Sequence, residues 1–91
     1  MFQVTARIIN PTGLHARPAA DFVAKAKEYH ARVTVGRAGE EATVNAKSII
    51  MLMSGAFVQG DEIVITADGE DEQQAAEALA MLVASGFGES N

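Results

Sequence analysis

The sequence has no cysteine. That excludes disulfides and a thiolate metal site, and it fits a reducing compartment. It also lacks any run of about 20 apolar residues, so no membrane-spanning helix is expected. The opening residues, MFQVTARIIN, hold one arginine, Arg7, and no small-residue cleavage site behind a long apolar core. No secretion signal is read there, and a cytoplasmic location is expected. Positive charge is scarce: seven Lys and Arg stand against twelve Asp and Glu, a net charge of −5. Nucleic acid is therefore not an expected partner. Internal repeats, linkers and low-complexity segments are absent as well. What is present is apolar: 48% of the 91 residues are hydrophobic. That predicts one domain, residues 1–91, just large enough to bury its own core.

Periodicity divides the chain into seven elements. Phe2, Val4, Ala6 and Ile8 alternate with polar residues, which predicts a strand with one buried face. NPTG breaks it. From Ala16 to about Tyr29 the apolar residues Ala19, Phe22, Val23 and Ala26 recur at helical spacing, with Asp21 and Lys25 placed to pair on the outer side. ARVTV, with Val33 and Val35 inward, and EATVN, with Ala42 and Val44 inward, read as a hairpin joined through GRAGE. Ser48 as N-cap and Gly55 as stop bound a short helix in KSIIMLMSGA. DEIVITA is a strand with Ile63 and Ile65 inward. A last helix runs from about Asp71 to Ser85. Its core face is Ala75, Leu79, Leu82 and Val83, its first turn is acidic, and Gly86 ends it. Phe87 is expected to pack back on the domain. The order is βαββαβα. Two layers follow: an α+β fold with a four-stranded sheet, helices on one face, and Thr5, Thr34 and Thr43 toward water on the other.

The chemistry concentrates in PTGLHARPAADF, Pro11 to Phe22. If a helix starts at His15 or Ala16, Pro18 falls in its first turn, where its missing amide costs little. The amides of Ala16 and Arg17 then point outward and, with the helix dipole, form an anion site. Gly13 permits a tight or left-handed backbone just before it. The positive end of a helix disfavours imidazolium, and a neutral ring keeps a nucleophilic lone pair. If that nitrogen attacks a phosphoryl donor, the product is negative and Arg17 and the open amides can receive it. A lone histidine near a helix start is ordinarily a surface or capping residue, and a lone arginine a solvated charge. The combination of Gly13, His15, Arg17 and Pro18 carries the signal.

GLHARPA resembles the active-site signature of HPr, the histidine-containing phosphocarriers of the bacterial phosphotransferase system. KSIIMLMSGA resembles that family's segment around a regulatory serine, and ADGEDEQQAAEAL its approach to the last helix. Together the three cover nearly the whole chain. The resemblance implies an open-faced sandwich: an antiparallel sheet in the order 1-4-2-3 with three helices on one side. It implies that His15 accepts a phosphoryl group on Nδ1 from enzyme I, which takes it from phosphoenolpyruvate, and passes it to a IIA component. Arg17 would steady the group, and the Ala16 and Arg17 amides would add hydrogen bonds. No metal or cofactor is implied. Such a protein is a carrier rather than an enzyme in the usual sense, and a monomer is expected. Both the sugar branch and the nitrogen-related branch, which the tail SGFGES resembles, stay open.

SIIMLM holds more large apolar residues than one buried stripe needs. Leu52 is expected in the core, and Ile50 and Met53 outside it. Exposed apolar residues mark docking surfaces, and methionine suits a surface that meets several partners. By resemblance the docking positions are Ala16, Ala20, Ile49, Ile50 and Met53, with Arg17 and Lys27 complementing acidic partners. Ser48 caps its helix, and by resemblance it is also the serine that HPr kinase/phosphorylase modifies in some bacteria. Phosphate at a helix N-terminus suits the fold. The chain departs from the family at Met51, where glycine is common nearby, and at Ser54, Gly55 and Ala56. His30, Asn45 and Asp68 read as helix-end, turn and strand-end residues. Two alternatives stand beside the carrier. One is a regulatory binding module acting through Ser48 and the apolar patch. The other is a small acylphosphatase-like phosphohydrolase, which would turn over acyl phosphates.

Overall fold

Alternation and helical periodicity resolve into eight short elements in a computed structural model that describes residues 1–89. These are β1 (Phe2–Arg7), α1 (Ala16–Lys27), β2 (Arg32–Arg37), β3 (Thr43–Asn45), α2 (Ile49–Ser54), β4 (Glu62–Asp68), α3 (Glu72–Ala84) and a 3-10 turn, Gly86–Gly88. Ser90, the last residue of the SGFGES stretch, and Asn91 lie outside the described residues. The sheet is wholly antiparallel in the order β1-β4-β2-β3. β4 sits between β1 and β2 and pairs with both. Ile63, Ile65 and Ala67 are buried, and the residues between them turn to the other face. Its register sets Val4 opposite Ile65 on one side and Val35 opposite Ile65 on the other.

The three helices cover one face of this sheet. α3 lies on β1 and β4, and α1 packs on α2 and α3. Phe22 and Leu79 fill the space between layers, while Ala19, Ala26, Ala75 and Ala76 let the helices approach closely. Phe87 is half-buried against the core. On the open face Thr5 and Thr43 are exposed, and Gln3 Nε2 donates to Thr66 Oγ1 at 3.1 Å.

Several local expectations change. Lys25 pairs with Glu28 at 3.5 Å, one turn toward the helix end, rather than with Asp21. Leu82 is only half-buried and Ala76 takes its place in the core. At about 100° per residue Leu82 falls at the edge of the arc shared by Ala75, Leu79, Val83 and Ala76. β2 runs on to Arg37, so Ala42 lies exposed in the hairpin loop. Asp71 does not cap α3 with its side chain. Its carboxylate instead accepts from the His30 and Ala31 amides at 2.9 and 2.8 Å, tying α3 to the α1–β2 turn.

Candidate functional site

The chain leaves β1 through Asn10–Gly13 and enters α1. Gly13 has φ +72, and a Cβ on it would stand 2.5 Å from Phe57 O and 2.9 Å from Val58 Cα. Only glycine lets this loop close against the α2–β4 connection. The next amide, Leu14 N, donates to Phe57 O at 3.0 Å, and the Leu14 side chain is wholly buried. That anchor presents His15, half-buried, as the N-cap of α1 with extended backbone, φ −133 and ψ 159. Its side chain makes no capping bond.

Ala16 follows with φ +54. A left-handed L-residue costs about 1–2 kcal/mol, so the surrounding contacts hold this one in place. The amides of Ala16 and Arg17 find no acceptor among the described residues. The first turn of α1 carries no acidic residue, unlike that of α3, where Glu72 stands. The positive end of the α1 dipole is therefore left for an outside anion. Arg17 is exposed, and its guanidinium forms no ion pair or hydrogen bond among the described residues. One histidine, two open amides and an arginine whose guanidinium has no partner among the described residues stand in succession at the start of α1. This is the constellation read from GLHARPA.

Two further residues hold this loop and were not singled out by sequence pattern. Asn10 is fully buried, and its Nδ2 donates to Gly13 O at 3.0 Å and to Glu89 Oε1 at 3.1 Å. Glu89 also accepts from Thr12 N at 3.1 Å and Thr12 Oγ1 at 2.7 Å. The Thr12 hydroxyl, then its amide, hold the Glu89 carboxyl below its ordinary range, with Asn10 adding to the effect and desolvation opposing it. No short-range motif signals a contact between positions so far apart in the chain.

Beside the histidine lies an apolar face. Ser48 caps α2 by accepting from Met51 N at 3.3 Å, as expected. Leu52 is buried, and Ile50 is 74% exposed, also as expected. Met53 is a correction: it is half-buried and packs on the core. It follows Leu52 directly, so its side chain flanks the buried stripe. Met51, on the other side of Leu52, is 45% exposed, the exposure that was expected of Met53. Ile49, Ala16 and Ala20 are exposed. α1 and α2 pack together, which places these residues on adjoining elements. Lys27 is exposed at the other end of α1.

A concavity of about 520 Å³ lies elsewhere, lined by His30, Arg32, Val33, Asn45, Lys47 and Asp68. No residue of the His15 loop lines it. His15 stands at an open helix end instead. No helix among the described residues is long and apolar enough to cross a membrane.

Fold and site together define a class: small open-faced βαββαβα domains that present a histidine and unfilled amides at one helix start. A family model described as "PTS HPr component phosphorylation site" matches residues 2–85. The phosphocarrier protein HPr of Haemophilus influenzae is 46% identical over 83 residues, covering 91% of this chain and 95% of that protein. A crystal structure of HPr from Thermoanaerobacter tengcongensis matches with a TM-score of 0.92 at 44% identity, covering all of both chains. A crystal structure of an HPr dimer from the same organism matches with a TM-score of 0.74 at 45% identity, covering 98% of this chain and 100% of that one. The chain belongs to the HPr family of the phosphotransferase system.

Proposed function

We propose that His15 carries the phosphoryl group in this HPr-family phosphocarrier. As a family member the protein is a phosphoryl carrier of the phosphotransferase system and not a free-standing enzyme. In the first half-reaction Nδ1 of neutral His15 attacks phosphorus on phosphorylated enzyme I. The bond from phosphorus to the donor breaks as the P–N bond to His15 forms. In the second half-reaction a nucleophile on a IIA component attacks the same phosphorus, and His15 leaves with its lone pair restored.

The observation that carries this reading is the state of the α1 start. Its first amides are unfilled, its first turn has no carboxylate, and Arg17 is unengaged. The negative phosphoryl group takes those amides and the guanidinium as partners. Few contacts suit a carrier, because the group must leave again.

Docking uses Ala16, Ala20, Ile49 and Ile50, with Met51 joining and Met53 contributing only its edge. Arg17 and Lys27 face acidic partners. Phosphorylation of Ser48 by HPr kinase/phosphorylase, in a host that has it, would place negative charge on this face and weaken docking. A monomer suits successive docking with two different partners, and sedimentation equilibrium tests this against the dimer seen in a relative. The carrier works in the cytoplasm with enzyme I.

The test is intact mass after incubation with enzyme I and phosphoenolpyruvate. One acid-labile phosphate is expected on the wild type and none on His15→Ala. A phosphate retained by the variant would remove His15 from the role.

A further inference from the structure

After α3 the chain reverses. Gly86, Phe87 and Gly88 take φ +72, +57 and +78 in succession. Phe87 adopts this left-handed conformation although it has a Cβ, so the reversal is held by its contacts. One contact is Gly86 against Ile9, where an added Cβ would stand 3.4 Å from the isoleucine side chain. Another is Glu89 N donating to Gly86 O at 3.0 Å. The reversal sets the Glu89 carboxylate on the loop that leads to His15.

Three donors converge there. Oε1 accepts from Asn10 Nδ2 and Thr12 N, and Oε2 accepts from Thr12 Oγ1. The same Asn10 nitrogen reaches Gly13 O. The polar chain therefore runs from Glu89 to a residue two positions before the histidine. Phe57 O grips the next residue, Leu14, from the other side. A carboxylate is acceptor-only, which matches a site that offers only donors. Glu89 lies beyond the stretch 2–85 that the family model matches.

We infer that Glu89 is a positioning residue for phosphoryl transfer, clasping the Asn10–Gly13 loop so that His15 is presented in one orientation. The inference rests on His15 as the phosphoryl acceptor. Releasing the clasp frees Thr12 and loosens Asn10, and leaves the loop held by the Asn10–Gly13 bonds and by Leu14 N on Phe57 O. The exposed residues of α1 and α2 that dock partners do not touch it. Loss of alignment lowers the rate of the chemical step, whereas docking affinity is kept.

The experiment is rapid-quench phosphoryl transfer from phosphorylated enzyme I. It compares the full-length wild type with Glu89→Ala, Glu89→Gln, Thr12→Ala and the Thr12→Ala/Glu89→Ala pair, at a temperature where circular dichroism shows all folded. Glu89→Ala is expected to lower kcat about tenfold with KM within about twofold. Glu89→Gln should recover part of the loss, because the Thr12 hydroxyl can rotate to accept from the amide. The double variant should be no slower than Glu89→Ala. An unchanged kcat, a rise confined to KM, or additive losses would overturn the inference. If the wild type takes up no phosphate, the His15 reading fails instead. Hydrogen exchange at the Thr12 amide then still judges the clasp: faster exchange in Glu89→Ala supports it, and unchanged exchange removes it.

Discussion

Gly13 shows how one missing atom shapes the site. Gly13→Ala would place a Cβ 2.5 Å from Phe57 O in a left-handed conformation. Backbone strain and overpacking together predict a loss of about 2 kcal/mol or more. A lower urea midpoint with an unchanged slope would show it; an unchanged midpoint would mean the loop moves aside at little cost. Ala16 is the opposite case. Its φ of +54 is disfavoured for alanine but free for glycine. Relief of about 1–2 kcal/mol outweighs the entropy glycine adds, about 0.5–1 kcal/mol. Ala16→Gly should therefore stabilise the fold by roughly 0.5 kcal/mol in the same urea titration. The freedom of Gly13 was legible from its place before the helix. The strain at Ala16 was not, because alanine is ordinarily a helix former.

Among the elements, α2 separates capping from docking. Ser48→Ala removes the acceptor for Met51 N and should cost about 0.5–1 kcal/mol, since the bond is long at 3.3 Å. Ser48→Asp keeps a capping oxygen, so stability should stay within about 0.5 kcal/mol while transfer from enzyme I slows. Equal transfer by both variants would remove Ser48 from the docking face. Ile50 is 74% exposed, so Ile50→Glu should leave the melting temperature unchanged. Its KM for enzyme I should rise about tenfold, the loss of one buried apolar anchor. The cap and both ends of α2 were legible because capping is local chemistry. The exposed side was partly misread: six residues are under two turns, too few for periodicity to separate Met51 from Met53.

Over the whole molecule, carboxylates tie distant segments together. Asp71 bonds the His30 and Ala31 amides, Glu72 the Met1 amino group at 2.9 Å and the Gly69 amide, and Glu89 the Asn10–Thr12 loop. The His30 amide leads in lowering Asp71 below its ordinary 3.8, with Ala31 adding to it. The Met1 amino group leads at Glu72, and Thr12 at Glu89, both below the ordinary 4.5. A depressed folded-state value means the stabilisation is complete above the ordinary value and is lost as pH falls through the folded one. The melting temperature should therefore hold from pH 7 to about 5 and decline below about pH 4.5. Asp71→Asn combined with Glu89→Gln should flatten that decline, measured by circular dichroism melts between pH 7 and 3. An equally steep decline would assign acid lability to other groups.

Element order, the α+β class, both caps of α2 and the constellation at His15 were determined by the sequence alone. Each rests on residues within one or two turns of each other, where periodicity, capping and turn chemistry act. Tertiary structure decided that Ala76 replaces Leu82 in the core, and that Asp71 bonds a turn rather than its own helix. It also decided that Glu89 closes on Thr12. Those outcomes depend on where separate elements come to rest, and hydrogen bonds across 40 or 77 positions leave no period in the chain. The helix start with its open amides was written locally; the contacts that hold the loop before it came from packing.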